Sequence, residues 1–399
     1  MKSSPSVRTA AMTRRLVSPS LIGKTNRSRV LKLLFENGPS SRAQLARALG
    51  VNRATIASIL QPLVDDGTLI EGEAIAPSRS GGKPARPLWF NQAGAELGSV
   101  RMSSTRILAA RIGMDGTIRT QGQRQIGPDW ELSRIRDELL TLADECFEGH
   151  VLFGIGVAAA GMVDTTTGRI LSVHLAPVLN GFAVVDELQA AFAVPVAIDH
   201  HPRVLALGDR WFGAGRGLER FASVYTGEAL GIGFVHEGEV FRGVDGAGGE
   251  YGHMVVDMRG DRCMCGRTGC WETIATTGWL RAEAGRRGLP DAERADCASL
   301  VAAAGQGDAR AAGLIRDYAR NLAVGMANHE HMLASHNYII HGDAATGGET
   351  MRALLQEYLA EFSPHRGEPP VVIVDPTDED PVLLGGGGLV LSTELSTVV

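Results

Sequence analysis

The chain has 399 residues, too many for one small core and enough for two or three domains. With 44% hydrophobic residues and no uninterrupted apolar run of about 18, it reads as globular and without a membrane span. A net charge of −6 argues against a nucleic-acid partner until its distribution is read: residues 1–90 carry +9 and the remainder −15, a basic module joined to an acidic one.

Residues 1–24 hold Lys2, Arg8, Arg14, Arg15 and Lys24 but lack the apolar segment of a signal peptide, so they read as a basic flexible arm. A winged helix-turn-helix is expected over residues 25–90. Residues 27–36 set Val30, Leu31, Leu33 and Leu34 on one side of a helix. Ser40 or Ser41 can cap a second helix with Leu45 and Leu49. Gly50 makes the turn, and Asn52 caps a third helix with Ile56, Ile59, Leu60 and Leu63. Gly67 ends it, and Leu69 and Ile70 start a strand. The third helix is the candidate reader of bases in double-stranded operator DNA. Its N-terminal turn presents Asn52, Arg53 and Thr55, followed by Ser58 and Gln61. Arg53 suits guanine; Asn52 and Gln61 suit adenine. The alternative is that Asn52 only caps and Arg53 only touches phosphate. The Gly-rich basic segment at 78–87, with Arg79, Lys83 and Arg86, suits a wing on the DNA backbone, a linker, or both.

From residue 95 strands alternate with helices, an α/β pattern. Residues 97–102, 107–113 and 117–123 read as a meander turning at Asp115-Gly116, then a helix over 131–148 and a buried strand over 151–159. Residues 221–242 repeat strand, glycine turn, strand and tight turn at Glu237-Gly238. Helices over 307–333 and 346–363 flank a strand at 337–341. Two α/β lobes around a cleft fit this order, one over 95–212 and one over 213–399, with the last helix free to return to the first lobe.

Five cysteines include three within eight residues, Cys263, Cys265 and Cys270. An odd count without a signal peptide reads as a reduced, cytoplasmic protein with a metal cluster. CxCGxxGC is a compact thiolate knuckle, and His253, ten residues earlier, can supply a fourth ligand. Three thiolates and one imidazole make a closed, structural zinc site, with no open position for catalysis. The run His329-Glu330-His331, with His336 nearby, reads as a helix surface or subunit contact.

From Gly154 onward the chain resembles the ROK family of repressors, open reading frames and sugar kinases. Gly246-Ala247-Gly248-Gly249-Glu250-Tyr251-Gly252-His253 looks like its sugar-site signature, Cys263 to Glu272 like its zinc loop, and Pro195 to Gly213 like its catalytic segment. The resemblance implies a two-lobed actin-like ATPase (RNase H-like) fold. Because ROK repressors also carry an N-terminal winged helix, it extends to nearly the whole chain. Glu250, His253 and Glu272 match positions that hold sugar hydroxyls, while His200 and His201 alter the opposite wall. The two histidines, as chain neighbours, are expected to point apart.

Against the kinase pattern three parts are damaged. The first phosphate turn, Asp-x-Gly-x-Thr, is here Arg101-Met102-Ser103-Ser104-Thr105. The second, Gly-Thr-Gly-x-Gly, is Gly227-Glu228-Ala229-Leu230-Gly231, where Glu228 sets a negative charge against phosphate. The catalytic Glu-Asn-Asp-Ala-Asn is Asp199-His200-His201-Pro202-Arg203, so His201 stands in place of the base. The reading favoured is a kinase-inactive DNA-binding regulator, a repressor, sensing a sugar or related metabolite as a homodimer or homotetramer. Its rivals are a ligand-independent regulator whose large domain only oligomerises, and a sugar kinase with an appended DNA reader.

Overall fold

A computed structural model describes residues 19–65, 67–74, 86–91, 96–243, 248–363, 367–374 and 380–395. These fall into two compact units that divide near residue 92.

In the first unit α1 (Pro19–Asn37) leads to β1 (Ser40–Ser41), α2 (Arg42–Ala48), α3 (Arg53–Asp65), β2 (Leu69–Glu71) and β3 (Pro87–Phe90). Ser41 is the cap of α2, in a reciprocal capping box with Gln44. Gly50 turns at φ +65° and Gly67 at +77°, both left-handed conformations that suit glycine. Val30, Leu31, Leu34, Leu45, Ile56, Leu60, Leu63, Leu69, Leu88 and Phe90 form the core. Leu33, Leu49 and Ile59, expected there, are only half-buried at its edge. The three short strands pair in the order β1-β3-β2, all antiparallel. Residues 72–86 therefore connect two paired strands, as a wing does; Arg79 and Lys83 lie outside the described residues, as does the basic arm up to residue 18.

The second unit begins with β4 (Glu96–Met102), β5 (Arg106–Ile112), β6 (Ile118–Gln125), α4 (Leu132–Phe147) and β7 (Leu152–Ala159). A small hairpin, β8 (Met162–Asp164) and β9 (Arg169–Ser172), precedes α5 (Val184–Phe192), β10 (Val196–His200) and α6 (His201–Trp211). Then come β11 (Arg220–Thr226), β12 (Gly231–His236), β13 (Glu239–Val240), α7 (Thr277–Arg286), α8 (Cys297–Gly305), α9 (Ala309–Leu333), β14 (Asn337–Gly342), α10 (Gly348–Phe362), β15 (Val371–Val374) and α11 (Pro381–Leu395).

Two five-stranded sheets result, β10-β7-β4-β5-β6 and β13-β12-β11-β14-β15. Each has its first strand central, two antiparallel strands on one side and two parallel strands on the other. This duplicated order gives the two α/β lobes. The last helix, α11, packs on the first lobe: its glycines lie against Ser99, Gly156, Val204 and Leu207. A side chain on Gly156 would overlap the Gly386 carbonyl, so the glycine run permits the contact.

Candidate functional site

The first site is the N-terminal end of α3. Asn52 Oδ1 accepts from the Thr55 backbone N–H at 2.8 Å and from Thr55 Oγ1 at 3.0 Å. That is a helix cap, so the acceptor half of the Asn52 amide is already committed. Ser58 Oγ donates to the Thr55 carbonyl at 2.9 Å, and Gln61 Nε2 donates to Asp65 Oδ1 at 2.8 Å. Arg53 is exposed and makes no hydrogen bond among the described residues, which leaves its guanidinium available to DNA. Arg86, also exposed, enters β3 from the wing segment.

The second site follows the sugar-site signature. Tyr251–His253 forms one short helical turn and Trp271–Thr273 another, and between them lies the knuckle. His253, Cys263, Cys265 and Cys270 place their ligand atoms within 4.8 Å of one another. Cys265 and Cys270 sulfurs are 3.6 Å apart, and His253 Nδ1 is 3.5 Å from Cys263 Sγ. Four ligands about 2.3 Å from one tetrahedral metal are separated by roughly 3.8 Å, so the donor set fits zinc. Without a cation, burial and the neighbouring thiols push Cys270 up to about 12, a crowding that a divalent metal would reverse. Gly266 and Gly269 turn the loop at φ +87° and +74°. Trp271 anchors it: the ring is fully buried, and its N–H donates to the Asn321 carbonyl of α9 at 2.8 Å.

Glu272 Oε2 lies 3.5 Å from His253 Nδ1, and Glu250 Oε1 lies 3.6 Å from His200 Nδ1. The structure thus sets His200 directly against Glu250, as His253 is set against Glu272. His201 joins them through its ring, edge-on to His200 at 5.0 Å between centroids. The expectation that the two histidines point apart is therefore corrected: the change from β10 to α6 falls between them and turns both rings to the same place. Burial, assisted by Arg203 and His253, lowers His200 to about 3, and burial lowers His201 well below the ordinary range. Both imidazoles are neutral, and both Nδ1 atoms are buried without a hydrogen-bond partner among the described residues.

The altered motifs name Arg101, Asp199, Arg203 and Glu228, but their partners Asp380, Tyr225, Arg242 and Arg281 carried no sequence signal. Asp199 is fully buried and accepts from Arg203 Nε at 2.6 Å and Arg242 Nε at 2.7 Å. Arg203 reaches on to the Gly248 carbonyl at 2.8 Å, tying α6 to the signature loop. Arg101 pairs with Asp380 and donates to the Tyr225 hydroxyl at 3.3 Å. Asp380 belongs to no motif, so only the fold could bring it to Arg101. Glu228 pairs with Arg281 of α7 at 2.5 Å, which partly neutralises the charge expected to oppose phosphate.

The triad of His329, Glu330 and His331 is also corrected. His329 and Glu330 are not on the helix surface: His329 is fully buried among Phe234, Tyr251 and Tyr338, and the Tyr338 hydroxyl donates to Glu330 at 2.9 Å.

Comparison with known proteins places these features. The ROK family matches residues 97–386, and a winged helix-turn-helix DNA-binding family matches residues 24–70. The xylose repressor of Bacillus subtilis is 26% identical over 269 residues, covering 65% of this chain and 68% of its own. The glucokinase of Thermotoga maritima is 28% identical over 314 residues, covering 74% of this chain and 97% of its own. The crystal structure of a ROK family transcriptional regulator, a homologue of the E. coli MLC protein, superposes with a TM-score of 0.81 at 23% identity. That match covers 94% of this chain and 97% of the other and shows a shared fold.

Proposed function

The chain belongs to the ROK family and carries a winged helix-turn-helix DNA-binding domain, and from that premise we propose that it is a transcriptional repressor that senses a sugar or related metabolite and catalyses no phosphoryl transfer. The observation that carries this reading is the floor of the cleft. Where a kinase needs an acidic group to help hold magnesium beside the phosphates, Arg101 pairs with Asp380. Where it needs a carboxylate base stands His201, whose imidazole burial lowers well below its ordinary range and so leaves a weak proton acceptor.

On this reading Arg53 and Arg86 contact operator DNA, with Arg79 and Lys83 of the wing beside them. Glu250 and Glu272 accept bonds from ligand hydroxyls. His253, Cys263, Cys265 and Cys270 hold a structural zinc that fixes the loop carrying Glu272. The zinc chemistry is that of a cross-link, contributing on the order of 10 kcal/mol to folding at neutral pH. Two readers in a homodimer or homotetramer match paired half-sites. Ligand binding changes operator affinity only if the two lobe arrangements bind it unequally. The unpartnered Nδ1 atoms of His200 and His201 favour this sensor over a ligand-independent regulator, because buried polar atoms without partners suit a site that a ligand completes.

The test joins three assays on the full-length protein. Operator DNA is selected from a random library, released by members of a sugar panel, and the same sugars are assayed for phosphorylation with ATP and magnesium. Release without turnover is expected. Turnover that vanishes in His201→Ala would establish a kinase instead. Elemental analysis should find one zinc per chain, lost in Cys265→Ser.

A further inference from the structure

A chain of contacts runs from the sugar-facing side of the cleft to its floor. Glu250 lies 3.6 Å from His200, the His200 and His201 rings meet at 5.0 Å, and His201 meets Tyr225 edge-on at 5.5 Å. The Tyr225 ring then lies 5.7 Å from the Arg101 guanidinium, which pairs with Oδ2 of Asp380. The other carboxylate oxygen, Oδ1, accepts from the Val382 N–H at 3.0 Å, in the first turn of α11. A guanidinium and a helix N-terminus are the donors that commonly hold phosphate. Here the chain's own carboxylate already fills the place between them.

Among the described residues, the arginines of the rest of the wall are each paired with a carboxylate. Arg203 and Arg242 both serve the buried Asp199, and Arg281 serves Glu228. Beside them stand the carboxylates of Glu250 and Glu272, and the Nδ1 atoms of His200, which is 7% exposed, and His201, neither with a hydrogen-bond partner among the described residues. Carboxylates and neutral imidazoles suit hydroxyl groups; an incoming phosphate would meet Asp380.

Resting on the sensor reading, we propose that Asp380 is a specificity determinant: it occupies the anion hole beside the ligand wall, and the effector is therefore an uncharged, unphosphorylated sugar. Phosphorylated sugars and nucleotides are excluded by the carboxylate of a residue of the chain.

The test uses the full-length, zinc-loaded protein. Thermal stabilisation and operator release are measured with free aldoses and N-acetylated amino sugars, with the corresponding sugar phosphates, and with inorganic phosphate and ATP. The wild type should respond to an uncharged sugar and bind its phosphate at least about 100-fold more weakly. Asp380→Asn should gain 10-fold or more in affinity for inorganic phosphate, and the double variant with Arg101→Ala should lose that gain. A sugar phosphate that binds the wild type as tightly as the free sugar overturns the proposal. So does an Asp380→Asn protein with unchanged circular dichroism and zinc content that gains no anion affinity. Should that variant not fold, the wild-type comparison decides alone. If no sugar or sugar phosphate acts on the wild type, the sensor reading fails, while phosphate binding to Asp380→Asn still judges the anion hole by itself.

Discussion

Asn52 and Arg53 are adjacent yet have different work. Asn52 is held by Thr55 as a cap, so Asn52→Ala should cost about 1 kcal/mol of stability in the DNA-binding unit. Arg53 is exposed and makes no hydrogen bond or ion pair among the described residues, so Arg53→Ala should leave stability unchanged and weaken operator binding by about 1–3 kcal/mol if it reads a guanine. Denaturant titration and gel-shift measurements on both variants separate the two effects; equal loss of stability would contradict the assignment. A second residue-scale consequence concerns His329, which burial lowers to about 3 from an unfolded value near 6.5. Below pH 6.5 the unfolded chain binds a proton that the folded one refuses. Stability therefore falls as pH drops from 6.5 toward 3, by up to about 1.4 kcal/mol per pH unit. His329→Asn should shrink the stability difference between pH 7 and 5.5 by roughly 1 kcal/mol, read from denaturant midpoints at the two pH values. Nothing in the sequence distinguished His329 from its neighbour His331, because a helix with a wide apolar face and scattered histidines does not reveal which of them turns inward.

Among elements, those with local signals were legible. The capping box at Ser41, the turns at Gly50 and Gly67, and the alternation through β4 to β6 follow from chain chemistry within a few residues. The cluster of three thiols and an imidazole was legible for the same reason: three of its four side chains lie within eight residues. The cluster around Glu250 and His200 was half legible. Glu250, His253 and Glu272 sit in compact motifs, whereas Asp380 and Arg242 reach Arg101 and Asp199 only through long-range packing. The run Gly385-Gly386-Gly387-Gly388 in α11 is the sharpest case, since four glycines argue against a helix by propensity. Packing overrides that preference: a Cβ on Gly386 would stand 2.9 Å from the Gly156 carbonyl and overlap Ser99. Gly386→Ala, which improves local helix propensity, should therefore destabilise the protein by about 1–3 kcal/mol, measured by thermal or denaturant unfolding. A stabilised variant would show that the close approach of α11 is not a constraint.

For the whole molecule, the +9 segment and the −15 remainder have opposite effects on DNA, and the first must prevail at short range for the chain to bind at all. Operator affinity should then fall steeply with salt, by about 10³- to 10⁵-fold between 50 and 200 mM if six to ten phosphates are contacted. A flat salt response in binding titrations would remove the basic segment from the interface. The position of α11 bears on how such a chain is made. The first lobe opens at β4, yet the helix that covers Ser99 and Gly156 is encoded almost 300 residues later. During synthesis that sheet must wait, one apolar face uncovered, until the ribosome has released those intervening residues and α11 itself. The first lobe to emerge is thus completed only after the second, and a chain cut short anywhere before α11 would be a nascent protein with an open core, a natural client for chaperones and proteases.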